Sequence, residues 1–210
     1  MLMFSDPVLV IIVLGSVFVS AVLHEVMHAV TAKRLGDDTA YHMGRITLNP
    51  LKHIDPFLTI LLPVMLALSG LPILAGAKPV PFNPTRVRWG DFGSALVSIA
   101  GPLTNLFIAS LMGLWMRFFL DAQIGTELYG VLNIFVQVNI GLFVFNMIPF
   151  PPLDGSRVLY AFSPKPIQDI LEKIEQYGFM GFILFYLLVW RYLSPIFGEA
   201  ATFVYGLILG

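Results

Sequence analysis

The 210-residue chain has no cysteine, few charges and no polar stretch long enough to fold by itself. Without Cys there is neither a disulfide nor a thiolate metal site, so any metal must be held by His, Asp or Glu. Charged residues make up 12% of the chain against 57% hydrophobic residues, whereas a soluble domain carries about 25% charge. Together with a mean hydropathy of +0.83, this excludes an ordinary soluble domain and implies a multi-spanning membrane protein, with the lipid bilayer as its first partner. A net charge of −1 gives no reason to expect nucleic acid. Lys and Arg are also missing from Met1 to Pro7, where Asp6 is the one charge, so the basic region of a secretory signal peptide is lacking and the first apolar run is expected to be retained. No repeat or low-complexity tract divides the chain. One integral-membrane domain over residues 1–210 is expected.

What the sequence does contain is His24-Glu25-Val26-Met27-His28, near the end of an apolar run whose preceding residues, Val8 to Leu23, include no charge. On a helix, residues four apart share a face, so His24 and His28 can offer two imidazole nitrogens to one ion, with Glu25 beside them to take a proton from a metal-bound water. On a solvated helix such a pattern is a modest signal. Inside a spanning segment, two His and a Glu cost several kcal/mol unless they face a wet cavity or a metal, by about the amounts known for intramembrane charges.

Along the chain, a first helix is expected from Pro7 to Arg34, with Pro in its first turn and Lys33, Arg34 and Gly36 at its end. At about 1.5 Å per residue, His24 lies roughly 13–15 Å and His28 roughly 8–9 Å below a surface marked by Lys33 and Arg34. The β-formers Tyr41, Ile46 and Thr47 around Gly44 suggest a short membrane-associated β-hairpin. Ile54 to Ala77 is apolar but interrupted by Pro56, Pro63, Gly70, Pro72 and Gly76, a poor straight helix. A polar, Pro-rich loop from Lys78 to Asp91 precedes an apolar run, Gly93 to Leu120, with a break at Gly101-Pro102. Tyr129 to Phe150 is a further span. Residues 166–177 alternate apolar and charged residues at helical spacing, as a helix lying on the membrane surface does. Two apolar segments, Gly178–Trp190 and Ile196–Leu209, are separated by Arg191 and Pro195. The expected fold class is an α-helical polytopic membrane protein with about five to six membrane segments.

A zinc hydrolase needs a third protein ligand and an open position for water. Asp154 is the candidate: it follows the Tyr129–Phe150 span, and an ionised carboxylate there needs a cation. If Asp154 and both His meet one ion, the first helix and the Tyr129–Phe150 helix must run parallel, which requires an odd number of crossings between them. The interrupted Ile54–Ala77 run is then re-entrant, permitted where protein or water satisfies its backbone. With that run re-entrant and an out-and-back pair at the C-terminus, all Lys and Arg except Arg117 and Arg191 fall on one side, which the positive-inside rule makes cytoplasmic.

These residues carry a resemblance. His24-Glu25-Val26-Met27-His28, the Gly101-Pro102 and Asn105 motif, and the Asn146, Pro149, Asp154-Gly155 motif are similar to those of the site-2 protease family of intramembrane zinc metalloproteases, over about Pro7 to Leu159. The chain resembles a short form, with no room for an inserted PDZ or appended CBS domains. The resemblance implies one Zn2+ per chain on His24, His28 and Asp154, with Glu25 as the general base. It further implies Asn146 near the scissile carbonyl, single-pass membrane proteins as substrates, and a Tyr41–Leu48 sheet edge that accepts an unwound substrate as an added strand. A membrane metal transporter, or a non-catalytic metal-binding protein, is the alternative; Glu25 within the motif and the absence of a second polar path argue against it. His42 and His53 are read as solvated or hydrogen-bonded loop side chains rather than ligands. Asn105 is open between a cross-helix hydrogen bond and a substrate contact.

Overall fold

A computed structural model describes residues 7–61, 63, 65, 76–119 and 126–210. Its helices are α1 (Pro7–Arg34), the short α2 (Thr39–His42), α3 (Gly90–Phe119), α4 (Thr126–Asn146), α5 (Asp154–Phe162), α6 (Lys165–Gln176) and α7 (Gly178–Leu209), with a 3-10 turn at Pro50–His53 and a π-helical turn at Pro56–Leu61. Four of them, α1, α3, α4 and α7, are long and apolar enough to cross a membrane. α1 ends as its sequence dictates, with Lys33 and Arg34 in the last turn and Gly36 at φ +105°, a conformation that favours glycine.

The packing is polar within and apolar without. Ser16, Ser20, His24, His28, Asn105 and Asn139 are buried, while Val8, Ile11, Leu14, Phe107, Leu111 and Phe118 are exposed. That distribution fits helices whose outer surface meets hydrocarbon. Apolar packing is concentrated where Ala109 and Met116 of α3, Val136 and Ile140 of α4, and Ile208 of α7 meet. Gly113 makes this approach possible, since a Cβ there would lie 2.3 Å from Ile208 Cγ2.

α3 is the centre of the bundle, in contact with α1, α4, α5 and α7. Going back along α1, His28 meets Val97, His24 meets Asn105, and Ser20 meets Asn139. α1 and α3 are therefore antiparallel, while α1 and α4 run the same way, so that the stretch after α4 returns to the level of His24.

The described residues depart from the sequence reading in three places. Residues 37–50 hold no strand: Asp37 Oδ1 accepts hydrogen bonds from the Thr39 N–H (3.1 Å) and hydroxyl (2.5 Å), turning the chain into α2. Buried Ala40 then packs on Ala29 and Val80, and this local side-chain turn outweighs the β-propensity of Tyr41, Ile46 and Thr47. The expected break at Gly101-Pro102 is absent, because α3 continues through Pro102. The two C-terminal segments form one helix through Pro195. Pro195 lacks the N–H that would serve the Arg191 carbonyl, and the Ser194 hydroxyl donates to that carbonyl instead, at 3.4 Å.

Most of the Ile54–Ala77 run lies outside the described residues. Its described ends meet: Gly76 N–H donates to Leu58 O at 3.2 Å, and the Thr59 hydroxyl to Gly76 O at 2.8 Å.

Candidate metal centre

One turn of α1 separates His24 from His28, and their Nε2 atoms face each other at 2.9 Å. Asp154 Oδ2 stands 3.1 Å from His24 Nε2 and 3.4 Å from His28 Nε2. The three donor atoms lie within 4.8 Å of one another. Both His are buried, and the Asp154 side chain is 19% exposed.

The tautomers follow from the other ring nitrogens. His24 Nδ1 is 2.6 Å from Asn105 Oδ1, and His28 Nδ1 is 2.8 Å from the Val97 carbonyl. Both partners only accept, so each Nδ1 carries a proton, and a ring that is neutral presents its Nε2 lone pair to the same point. Two lone pairs and a carboxylate converging in a buried space repel one another unless a cation or a proton lies between them. Two imidazoles and one carboxylate also match the donor set of catalytic zinc sites, which keep a further position open. The residues present therefore fit a zinc ion.

α3 gives the centre no ligand but forms its floor. A Cβ on Gly101 would lie 2.5 Å from His28 Nε2 and 2.6 Å from His24 Nε2, so only glycine lets the helix pass so close behind both rings. Pro102 leaves the Ser98 carbonyl without its helical donor, and the adjacent Val97 carbonyl is the one that receives His28. Behind His24, Asn105 donates to Asn139 Oδ1 (3.0 Å) and Asn139 donates to the Ser20 hydroxyl (2.9 Å), joining α1, α3 and α4 in one buried network.

Asp154 is placed by the prolines and by Gly155. Pro149, Pro151 and Pro152 prevent α4 from continuing, and Asp154 opens α5 after the turn. A Cβ on Gly155 would sit 2.3 Å from Met147 O, so glycine lets the start of α5 fold back against the end of α4. This is the physical content of the Asp-Gly pair.

Comparison with known proteins agrees. The chain is 37% identical over 181 residues to "Putative zinc metalloprotease YwhC" of Bacillus subtilis, covering 81% of this chain and 78% of that protein. It is 35% identical over 172 residues to "Putative zinc metalloprotease Rip2" of Mycolicibacterium smegmatis, covering 81% of this chain and 64% of the relative. A third relative, "Putative zinc metalloprotease MJ0611" of Methanocaldococcus jannaschii, is 31% identical over 90 residues, 43% of this chain and 44% of its own. The profile of peptidase family M50 matches residues 121–189, which include Asp154. The chain belongs to peptidase family M50, the site-2 protease family. No solved structure gives a significant match to this M50 chain.

Of the other residues singled out in the M50 sequence, Glu25 lies next to His24, and its Oε2 accepts the Val80 N–H at 2.7 Å. Asn146 is not joined to the triad by a hydrogen bond. It closes α4, and its side-chain amide donates to Leu142 O one turn back, at 3.0 Å. Asn105 takes the cross-helix role. His42 is exposed, and buried His53 donates from Nε2 to Thr47 O at 2.9 Å. A cavity of about 520 Å3 is lined by Asp55, Phe57, Leu58, Pro79, Pro152, Glu175 and Gly178, with Pro79 next to Val80 and Pro152 two residues before Asp154. Pro79 comes from the polar, Pro-rich 78–91 loop. Sequence reasoning missed Ser20 and Asn139. Their signal was present, since a polar side chain in an apolar span needs a partner.

Proposed function

We propose that this M50 chain is an intramembrane zinc endopeptidase that hydrolyses peptide bonds within or near the transmembrane segments of single-pass membrane proteins. One observation carries the reading. His24 Nε2, His28 Nε2 and Asp154 Oδ2 converge inside helices of membrane-spanning composition, with Glu25 adjacent.

In this reading His24, His28 and Asp154 hold Zn2+. When bound, zinc supplies Lewis acidity, making water easier to deprotonate near neutrality and drawing electron density from the scissile carbonyl. Glu25 takes the proton from the attacking water and hands it to the leaving amine. Asn105 and the Val97 carbonyl hold the two imidazoles in the required tautomer. The cavity between Pro79 and Pro152 gives water and substrate a way in. Because a helix hides its carbonyls in its own hydrogen bonds, the substrate segment must unwind before it is cut, and helix-breaking residues in it favour cleavage. Asn146 borders the same turn and is assigned to the substrate carbonyl, which requires a rotamer other than the one that bonds Leu142.

The parallel course of α1 and α4 and the meeting of Leu58 and Thr59 with Gly76 support re-entry of the 54–77 run. With α7 as a single crossing, ten of the 12 Lys and Arg remain at the Arg34 end of α1, Arg117 lies opposite and Arg191 within α7. The positive-inside rule then sets the centre toward the cytoplasmic face of the cell membrane. The chain acts as one metalloprotease domain, its core at residues 7–159, with α6 on the membrane surface.

The deciding experiment is Glu25→Gln in detergent or liposomes with a single-pass substrate. Zinc content should equal the parent's and cleavage should vanish. Undiminished cleavage by this variant sinks the proposed mechanism.

A further inference from the structure

The segment after Gly76 runs along the C-terminal half of α1 with neither helix nor strand through Asn83, yet it is tied down at intervals. The Lys78 N–H donates to His53 O at 2.7 Å, the Val80 N–H to Glu25 Oε2 at 2.7 Å, the Asn83 N–H to Asp37 Oδ2 at 2.6 Å, and the Arg88 N–H to Leu35 O at 2.8 Å. Two of these four acceptors are carboxylates, one within α1 and one just beyond its end. The Val80 side chain is itself 8% exposed and packs against Ala29 and Ala40.

Val80 stands between Pro79 and Pro81. Neither proline has an N–H, so Val80 carries the only amide proton of the tripeptide, and that proton goes to Glu25. Each proline also restricts the residue before it to extended backbone, which stiffens Lys78 and Val80 without any ladder of hydrogen bonds. The anchors at His53 O and Asp37 lie on either side and do not involve the metal-binding residues. The donor is thus held in place independently of the centre.

A glutamate side chain has three rotatable bonds, and fixing it costs conformational entropy. His24 and His28 are each fixed through Nδ1, but among the described residues the hydrogen bond that holds Glu25 comes from Val80. It engages Oε2. We propose that the Val80 backbone N–H is a positioning group for Glu25, aimed by the flanking Pro79 and Pro81, so that the 78–83 strap is part of the base assembly as well as a wall of the cavity. The proposal rests on the reading of Glu25 as the general base.

Two measurements test it. The first is hydrogen exchange in the purified full chain, where Val80 supplies the one exchangeable amide between Lys78 and Phe82. Glu25→Ala should speed exchange at Val80 by roughly tenfold or more, while Asn83, held by Asp37, keeps its parental rate. Equal protection of Val80 in both proteins overturns the proposal. The second replaces Val80 by its α-hydroxy acid, giving a backbone ester that keeps the isopropyl group and loses the N–H. Zinc content and KM should match the parent, and kcat should fall by roughly tenfold or more because the base is misplaced. Val80→Ala, which keeps the N–H, should retain kcat within about threefold. Parental kcat in the ester, or an equal loss in Val80→Ala, refutes the role of the N–H while leaving the protease reading intact. A parent protein with bound zinc and no proteolytic activity refutes the protease reading itself, and the base assembly with it.

Discussion

Replacing Asn105 by leucine is the most informative perturbation, because this residue touches neither the ion position nor the cavity. Its Oδ1 accepts from His24 Nδ1 at 2.6 Å and its Nδ2 donates to Asn139 Oδ1 at 3.0 Å, with Asn105 and Asn139 both fully buried. Leucine keeps the branched skeleton of asparagine, although its methyl groups are bulkier, and two polar groups lose their partners. Each buried orphan costs about 1–3 kcal/mol. The two costs act differently. The orphaned Asn139 oxygen lowers stability with or without metal. The orphaned His24 Nδ1–H also frees the ring to rotate or to carry its proton on Nε2, which opposes metal binding specifically. Loss of such a supporting hydrogen bond weakens metal affinity by about 10–100-fold, which corresponds to about 1.4–2.7 kcal/mol. The assay is zinc affinity by chelator competition in detergent, with thermal unfolding of the metal-free protein measured in parallel. Asn105→Leu should lose 10- to 100-fold in affinity on that scale. Asn105→Asp keeps an acceptor for His24 and should bind zinc within about threefold of the parent, though its metal-free form loses the donor to Asn139. Parental zinc affinity in Asn105→Leu, with an intact fold, refutes the claim that this network sets the His24 tautomer.

Three further predictions concern glycine, glycine and acid. Gly101→Ala places a methyl group 2.5–2.6 Å from both ligand nitrogens and should abolish stoichiometric zinc by metal analysis while the helical circular dichroism persists; full occupancy refutes it. Gly155→Ala meets Met147 O at 2.3 Å, should push the start of α5 away from α4 and should lower zinc content; a parental value shows that Asp154 is held by something else. Burial acts to raise the pKa of Asp37, but hydrogen bonds from the Thr39 side chain and the Asn83 and Thr39 amides, with the Arg86 charge, outweigh it and hold the carboxyl below its ordinary value. A depressed carboxylate stabilises the fold above its unfolded pKa, and that contribution is lost as pH falls through the folded value. The protection factor of the Asn83 amide should therefore be flat from neutrality down to about pH 4 and drop below it. In Asp37→Asn, which still offers an acceptor, the acid step should disappear.

The grouping of His24, His28 and Asp154 was legible because residue types and spacing are written directly in the sequence. His24, Glu25 and His28 follow from the helical period, and Asp154 from its isolation among prolines. The parallel course of α1 and α4 followed from requiring those residues to meet. What could not be read were interactions whose partners are distant in sequence and chemically unremarkable. Asn139 looks like an incidental amide in an apolar span until Ser20 and Asn105 are beside it, and Gly101 looks like a helix break until two imidazoles are behind it. Local propensity misled where one side chain overrode it. Asp37 turned a stretch of β-formers into α2, and Ser194 closed the gap that Pro195 opens in α7. The Val80 N–H is invisible to residue-type reasoning, because the group that matters belongs to the backbone.

The supporting role of α3 has a consequence for how the two halves of the chain hold together. Both nitrogen donors, the glycine behind them and the amide that orients His24 come before residue 120, and the oxygen donor comes after residue 125. An ion held at this point is a cross-link between α1 and the start of α5, two elements that each pack against α3. Its binding energy is spent on their association as well as on coordination. Metal loss is therefore expected to loosen the start of α5 from α1 while α3 keeps its packing on α1 and α4.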